Sequence, residues 1–182
     1  GVALIAMLNL LEGDDLTALG HNSPAYLHLL TEAMRRAYAD RARHLGDPEA
    51  NSGLPLALLL SKERATRLRA TIAPDRASPS DSSAFNGAYL PGESEQTTHL
   101  SVVDAAGGAV SLTTTLMAPG TGFLLNNEMG DFNAVPGLTD RRGNIGTAPN
   151  LVAPGRRMLS SMTPVIVAQG GVPVLVVGSP GG

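Results

Sequence analysis

The chain has no cysteine and no tryptophan among its 182 residues, and aromatic residues make up only 3% of it. Without cysteine there are no disulfides, no thiolate nucleophile and no cysteine-based zinc site. This leaves the compartment open, because a disulfide-free protein suits cytosol or periplasm. The four histidines, at 21, 28, 44 and 99, lack the H-E-x-x-H spacing of a zinc protease. No metal and no cofactor is expected. Thirteen basic residues stand against sixteen acidic ones, for a net charge of −3, with no long basic run. Nucleic acid and anionic membrane surfaces are therefore not expected as partners. Long apolar runs are also missing. The opening "GVALIAMLNLLEG" holds about 10 apolar residues, too few to span a bilayer. It has no basic leader region and no A-x-A-like cleavage site, and Asn9 interrupts it. It reads as a buried helix, apolar nearly all round.

What the chain does have is 43% apolar residues, mostly aliphatic, enough for one core built on Leu, Val, Ile, Ala and Met. "GDDLTALGHN" reads as a loop. Ser23-Pro24 then offers an N-cap followed by proline at the first helical position. Leu27, Leu30, Met34, Ala37 and Tyr38 recur at the spacing of one helix face. Glu32 and Arg36, four apart, are assigned to the wet side. Gly46 and Pro48 mark the stop. "SKERATRLRATIAP" reads as a shorter helix capped by Ser61 and halted by Pro74.

Residues 76–96, "RASPSDSSAFNGAYLPGESEQ", are rich in Ser, Pro, Gly and Asp and are expected to form an exposed linker. Beyond them the periodicity shifts towards two. Residues 97–104 and 109–115 read as strands joined by "AAGG". "GFLLNNEMGDF" reads as a strand or turn edge. Residues 139–158 read as a long loop of the kind that lines sites. "TPVIVAQGGVPVLVVGSPGG" reads as a second hairpin turning at Gly170-Gly171. Helices first and antiparallel strands second predict an α+β fold, with 1–75 helical, 76–96 a linker, 97–182 β-rich, and one structural domain overall.

The linker ends on "EQTTHL", where loop meets strand. A threonine hydroxyl is a weak nucleophile unless a base assists it. Were the Gln96–Thr97 bond cut, the α-amine of Thr97, titrating near ~8, would be that base. The plainer reading of Thr97 is a residue that suits a strand start. The motifs "TTHLSVVD", "LLNNEMGDF", "LSSMTP" and "GSPGG" follow one another in this order. Together with the upstream "EAMRRAYADRARHLGDPE", they resemble the γ-glutamyltranspeptidase family of N-terminal-nucleophile hydrolases over nearly the whole chain.

The resemblance implies an incomplete αββα sandwich of the N-terminal-nucleophile hydrolase type. It implies autocatalytic cleavage between Gln96 and Thr97, leaving large and small subunits from one precursor. It implies that Thr97 then attacks a γ-glutamyl amide of the glutathione type and passes the acyl group to water or an acceptor amine. Thr115 matches a second threonine that orients the nucleophile. Glu128 and Asp131 match carboxylates that hold the substrate α-ammonium, and a desolvated ammonium does need anionic acceptors. Ser160 and Ser161 match serines that donate to the α-carboxylate. Gly181 and Gly182 match glycines whose backbone N–H groups form an oxyanion hole. Taken singly, these residues read as a strand hydroxyl, a solvated acidic turn, and turn-forming serines and glycines. His99 is read as structural and given no role.

Three departures from the family pattern stand out. Met117 occupies the place of an expected Asn in a shortened loop, and a thioether is a weak acceptor. Gly130 replaces the first Asp of the family's "DDF". An arginine that meets the substrate α-carboxylate belongs to a family segment before Gly1, and Arg156 and Arg157 lie in a different loop. The chain is therefore expected to be the middle of a longer protein, secreted or periplasmic by resemblance, with impaired activity at this length. The alternatives are a cephalosporin or glutaryl acylase-like amidase of the same superfamily, and a catalytically silent fragment.

Overall fold

The computed structural model describes residues 1–79, 98–114, 116–117, 124–125, 131–133, 136, 148–160 and 162–178. Among them are five α-helices followed by six β-strands, an α+β composition. They fall into two compact units. One is drawn from Gly1–Ala88 and Asn133–Arg157, the other from Tyr89–Phe132 and Met158–Gly182.

The first unit is helical. Helix α1 (Val2–Leu11) buries only Ala6, Leu10 and Leu11, while Ile5 and Leu8 are exposed. The expectation of a helix buried all round is thus corrected: α1 packs one face against α3 and α5. The expected loop after it contains a single helical turn, α2 (Leu16–Leu19), because the Asp15 carboxylate accepts from the Ala18 N–H. Helix α3 (Pro24–His44) begins as read. Ser23 Oγ accepts from the Tyr26 N–H at 3.1 Å, and Pro24 sits where its missing N–H costs nothing. Two short helices follow, α4 (Leu56–Leu59) and α5 (Lys62–Arg69). Ser61 caps the second by accepting from the Arg64 N–H.

The buried face of α3 differs from the one the apolar spacing suggested. Leu27, Met34 and Tyr38 are exposed, and the inward residues are Leu29, Glu32, Ala33, Ala37 and Asp40. Small alanines let a neighbouring helix come close, which a count of large apolar residues overlooks. Leu29 and Ala33 join Leu10, Leu11 and Ile72 in the core, with Leu16, Leu19, Leu30 and Leu68 packed around them. Glu32 is not on the wet side: its side chain is 2% exposed. It accepts from Arg36 Nη1 at 2.6 Å, from the Ser78 N–H at 3.0 Å and from Ser78 Oγ at 2.5 Å. Burial pushes its pKa up, but the hydrogen bonds from Ser78 and Arg36 outweigh that and bring it down to about 2. Asp40, also buried, receives a two-pronged Arg64 at 2.5 and 2.9 Å. Arg69 does the same for Asp14.

Residues 148–157 of the expected long loop pack on the segment after α3. A 3₁₀ turn spans Ala148–Asn150, and Asn133 bridges to Leu151. Gly46 abuts the carbonyl of Pro149, which also accepts from Asn51 Nδ2. Asp47 accepts from the Arg157 backbone at 3.0 Å and from its guanidinium at 2.7 Å. The Arg157 hydrogen bonds hold the Asp47 carboxyl below the usual range, and Asp47 raises Arg157 in turn. No helix among the described residues is long and apolar enough to cross a membrane.

The described residues of the second unit form three two-stranded antiparallel sheets. Strands β1 (Thr98–Val103) and β2 (Ala109–Thr114) form the first, β3 (Leu116–Met117) and β4 (Leu124–Leu125) the second, β5 (Val165–Gln169) and β6 (Val172–Val177) the third. The last hairpin turns at Gly170 and Gly171 as read. Both have positive φ, 58° and 83°, which glycine adopts freely and the right-handed strand twist requires.

Candidate active site

The first hairpin is set by its turn. Asp104 Oδ1 accepts from the Ala106 and Gly108 N–H groups at 2.9 and 2.8 Å, and Gly107 takes a φ of 86°. With the turn held, the register follows: Thr98 pairs with Thr114, His99 with Thr113, Leu100 with Leu112, and Ser101 with Ser111. Alternation then sorts the hairpin into two faces. Leu100, Val102, Val110 and Leu112 share one face and are exposed. His99, Ser101, Ser111 and Thr113 share the other, and Thr113 is buried.

On that polar face His99 is the hub. Its Nδ1 lies 2.7 Å from Thr113 Oγ1, and its Nε2 lies 2.9 Å from Ser101 Oγ and 3.3 Å from Ser111 Oγ. Ser111 Oγ donates to the carbonyl of Val177, at the end of β6, at 3.2 Å. Ser111 has one proton and spends it on Val177, so Nε2 is the donor towards Ser111. Gly178, the first residue of "GSPGG", packs against the ring so closely that a Cβ there would fall inside the imidazole. Three stretches distant in sequence meet at this side chain: the start of β1, the end of β2 and the exit of β6.

Of the residues singled out in sequence, two are described. Asp131 is buried, beside buried Phe132 in sequence, in the same unit as the hairpin. Ser160, half-buried, accepts from the Met162 N–H at 3.1 Å. That contact uses a lone pair of the hydroxyl and not its proton. Gln96, Thr97, Thr115, Glu128, Ser161, Gly181 and Gly182 lie outside the described residues. Thr97 and Thr115 are each one residue beyond the Thr98–Thr114 pair in sequence. His99, Gly178, Ser111 and Thr113 were not singled out as a group. The alternation of polar residues at 99, 101, 111 and 113 was the available signal. The link from that face to β6 had none.

The gamma-glutamyltranspeptidase family pattern matches residues 1–182. A glutathione hydrolase proenzyme from Pseudomonas sp. (strain A14) is 45% identical over 190 residues, covering all of this chain and 32% of its own length. An acylase ACY 1 proenzyme from Pseudomonas sp. (strain V22) is 39% identical over 189 residues, covering all of this chain and 31% of its own length. Among solved structures, LmbA2991HD is 28% identical with a TM-score of 0.67, covering 100% of this chain and 32% of that one. The chain spans about a third of the length of the curated relatives it matches. A match along every residue, on helices followed by antiparallel hairpins, means that the chain belongs to the gamma-glutamyltranspeptidase family.

Proposed function

We propose that this chain is part of an enzyme that transfers or hydrolyses γ-glutamyl groups of glutathione-type amides, with Thr97 as its nucleophile. The observation that carries the reading is the β1–β2 register, which pairs the two residues next to Thr97 and Thr115. His99, Ser101, Ser111 and Thr113 form the hairpin's polar face. A second hydroxyl beside a threonine nucleophile can orient it, and that is the role proposed for Thr115. The names of relatives support the reading, since glutathione hydrolase proenzymes match all of this chain.

In the precursor, Thr97 Oγ attacks the Gln96 carbonyl carbon. The peptide C–N bond breaks, and the nitrogen leaves as the Thr97 α-amine. Water then hydrolyses the resulting ester and frees the hydroxyl. In the mature protein the neutral amine takes the Oγ proton as Oγ attacks the γ-carbonyl, and the amine leaving group departs protonated. Gly181 and Gly182 N–H groups receive the oxyanion. Glu128 and Asp131 hold the α-ammonium, and Ser160 and Ser161 the α-carboxylate. Burial of Asp131 suits this role, because an ion pair out of water is stronger than an exposed one. Water or an amine then takes the acyl group.

The same reading makes 76–96 a linker within one structural domain, with 1–75 ending a large subunit and 97–182 beginning a small one. It makes the fold an incomplete αββα sandwich, places the protein in the periplasm or outside the cell, and expects impaired activity at this chain length. A second reading, an acylase-like amidase, is favoured by the 39% identity to an acylase proenzyme.

The test uses polypeptide made from the complete reading frame, with Thr97→Ala as control. Two bands on a denaturing gel, one starting at Thr97, and amine release from a γ-glutamyl anilide are expected, with both lost in the control. A single uncleaved band without turnover overturns the reading. Turnover of a glutaryl amide without turnover of the γ-glutamyl one favours the acylase.

A further inference from the structure

We propose that His99 is a positioning residue that holds the exit of β6 against the two strand ends leading to Thr97 and Thr115. This rests on the function proposed above and adds a residue which that mechanism does not use. The hairpin and β6 belong to different two-stranded sheets, so no shared ladder fixes their relation. Side chains must do it. Among the described residues, the Ser111–Val177 hydrogen bond and the Gly178–imidazole contact join them; His99 makes the second itself and lies 3.3 Å from Ser111 Oγ, the donor of the first. The ring satisfies Thr113 through one nitrogen and Ser101 and Ser111 through the other.

The chemistry explains why the residue is histidine. A neutral imidazole accepts at one nitrogen and donates at the other, which matches hydroxyls placed on opposite sides. Its flat face also lets the Gly178 backbone approach where any Cβ would collide. An oxyanion donor misplaced by a fraction of an ångström loses much of its effect, so an anchor three residues before Gly181 is where such precision would be set.

Loss of the clasp should lower rate rather than substrate affinity. In polypeptide from the complete reading frame, His99→Ala is expected to slow self-cleavage about 10–100-fold. It should lower kcat for the γ-glutamyl anilide by a similar factor while KM changes less than about threefold. His99→Gln, whose amide N–H reaches the Nε2 position, should recover more of kcat than His99→Asn. Gly178→Ala should mimic His99→Ala from the opposite side. Amide hydrogen exchange along 172–178 should speed up in His99→Ala and stay near wild type in His99→Gln. Unchanged kcat and cleavage in His99→Ala overturns the inference, as does a rise in KM alone or no rescue by Gln. Should wild type neither cleave nor turn over, the function reading falls. The exchange rates then decide the clasp: unchanged rates in His99→Ala overturn it.

Discussion

Replacing Glu32 by Gln keeps the shape of the side chain and one oxygen acceptor for Ser78 but removes the charge that faces Arg36. The hydrogen bonds from Ser78 and Arg36 hold the carboxyl at about 2 in the fold, against an ordinary value of 4.5. That difference corresponds to about 3 kcal/mol of stability carried by the ionised form. The side chain is 2% exposed, so solvent screening takes little of this away. The sign follows from a depressed folded pKa: the contribution is complete above the unfolded pKa and is lost as pH falls through the folded one. At pH 7, Glu32→Gln should therefore cost about 3 kcal/mol, and at pH 3 roughly half of that. Urea unfolding of polypeptide from the complete reading frame, wild type against variant at both pH values, measures the two costs. The slope against urea should match between the two proteins. A cost under about 1 kcal/mol at pH 7, or equal costs at both pH values, would refute the buried-clamp reasoning.

Two further outcomes are expected. Gly46→Ala drives a Cβ into the Pro149 carbonyl, backbone against backbone, and should destabilise by about 2 kcal/mol in the same assay; a neutral result would show that the 148–150 turn yields freely. Asp131→Asn should lower kcat/KM for the γ-glutamyl anilide about 10–100-fold, mostly through KM, and an unchanged KM would remove Asp131 from the substrate site.

Local signals proved reliable where a residue acts on its own backbone. Ser23, Pro24 and Ser61 start helices where the sequence placed them, because a cap needs only neighbours within one turn. The "AAGG" stretch and the Gly170-Gly171 pair likewise made their hairpins legible, since turn chemistry is local, while the part Asp104 plays in the first turn came from the structure. Asp15 shows the limit: its cap makes a helical turn too short to leave a periodic pattern. Of the candidate site, the sequence supplied the order of motifs and the polar alternation at 99, 101, 111 and 113.

Sequence alone thus determined the α+β order, the caps, the turns and the family, each written in residues adjacent along the chain or in ordered motifs. Only the tertiary structure decided which charges are buried and which strands meet. A Glu–Arg pair four apart looks the same on a wet face as under a packed segment. Ser78, 46 residues along, is what turns Glu32 into a buried anchor. In the same way His99 could read as any strand histidine until β6 brought Val177 and Gly178 to its face. Burial and contact depend on what arrives from far along the chain, and no local pattern records that arrival.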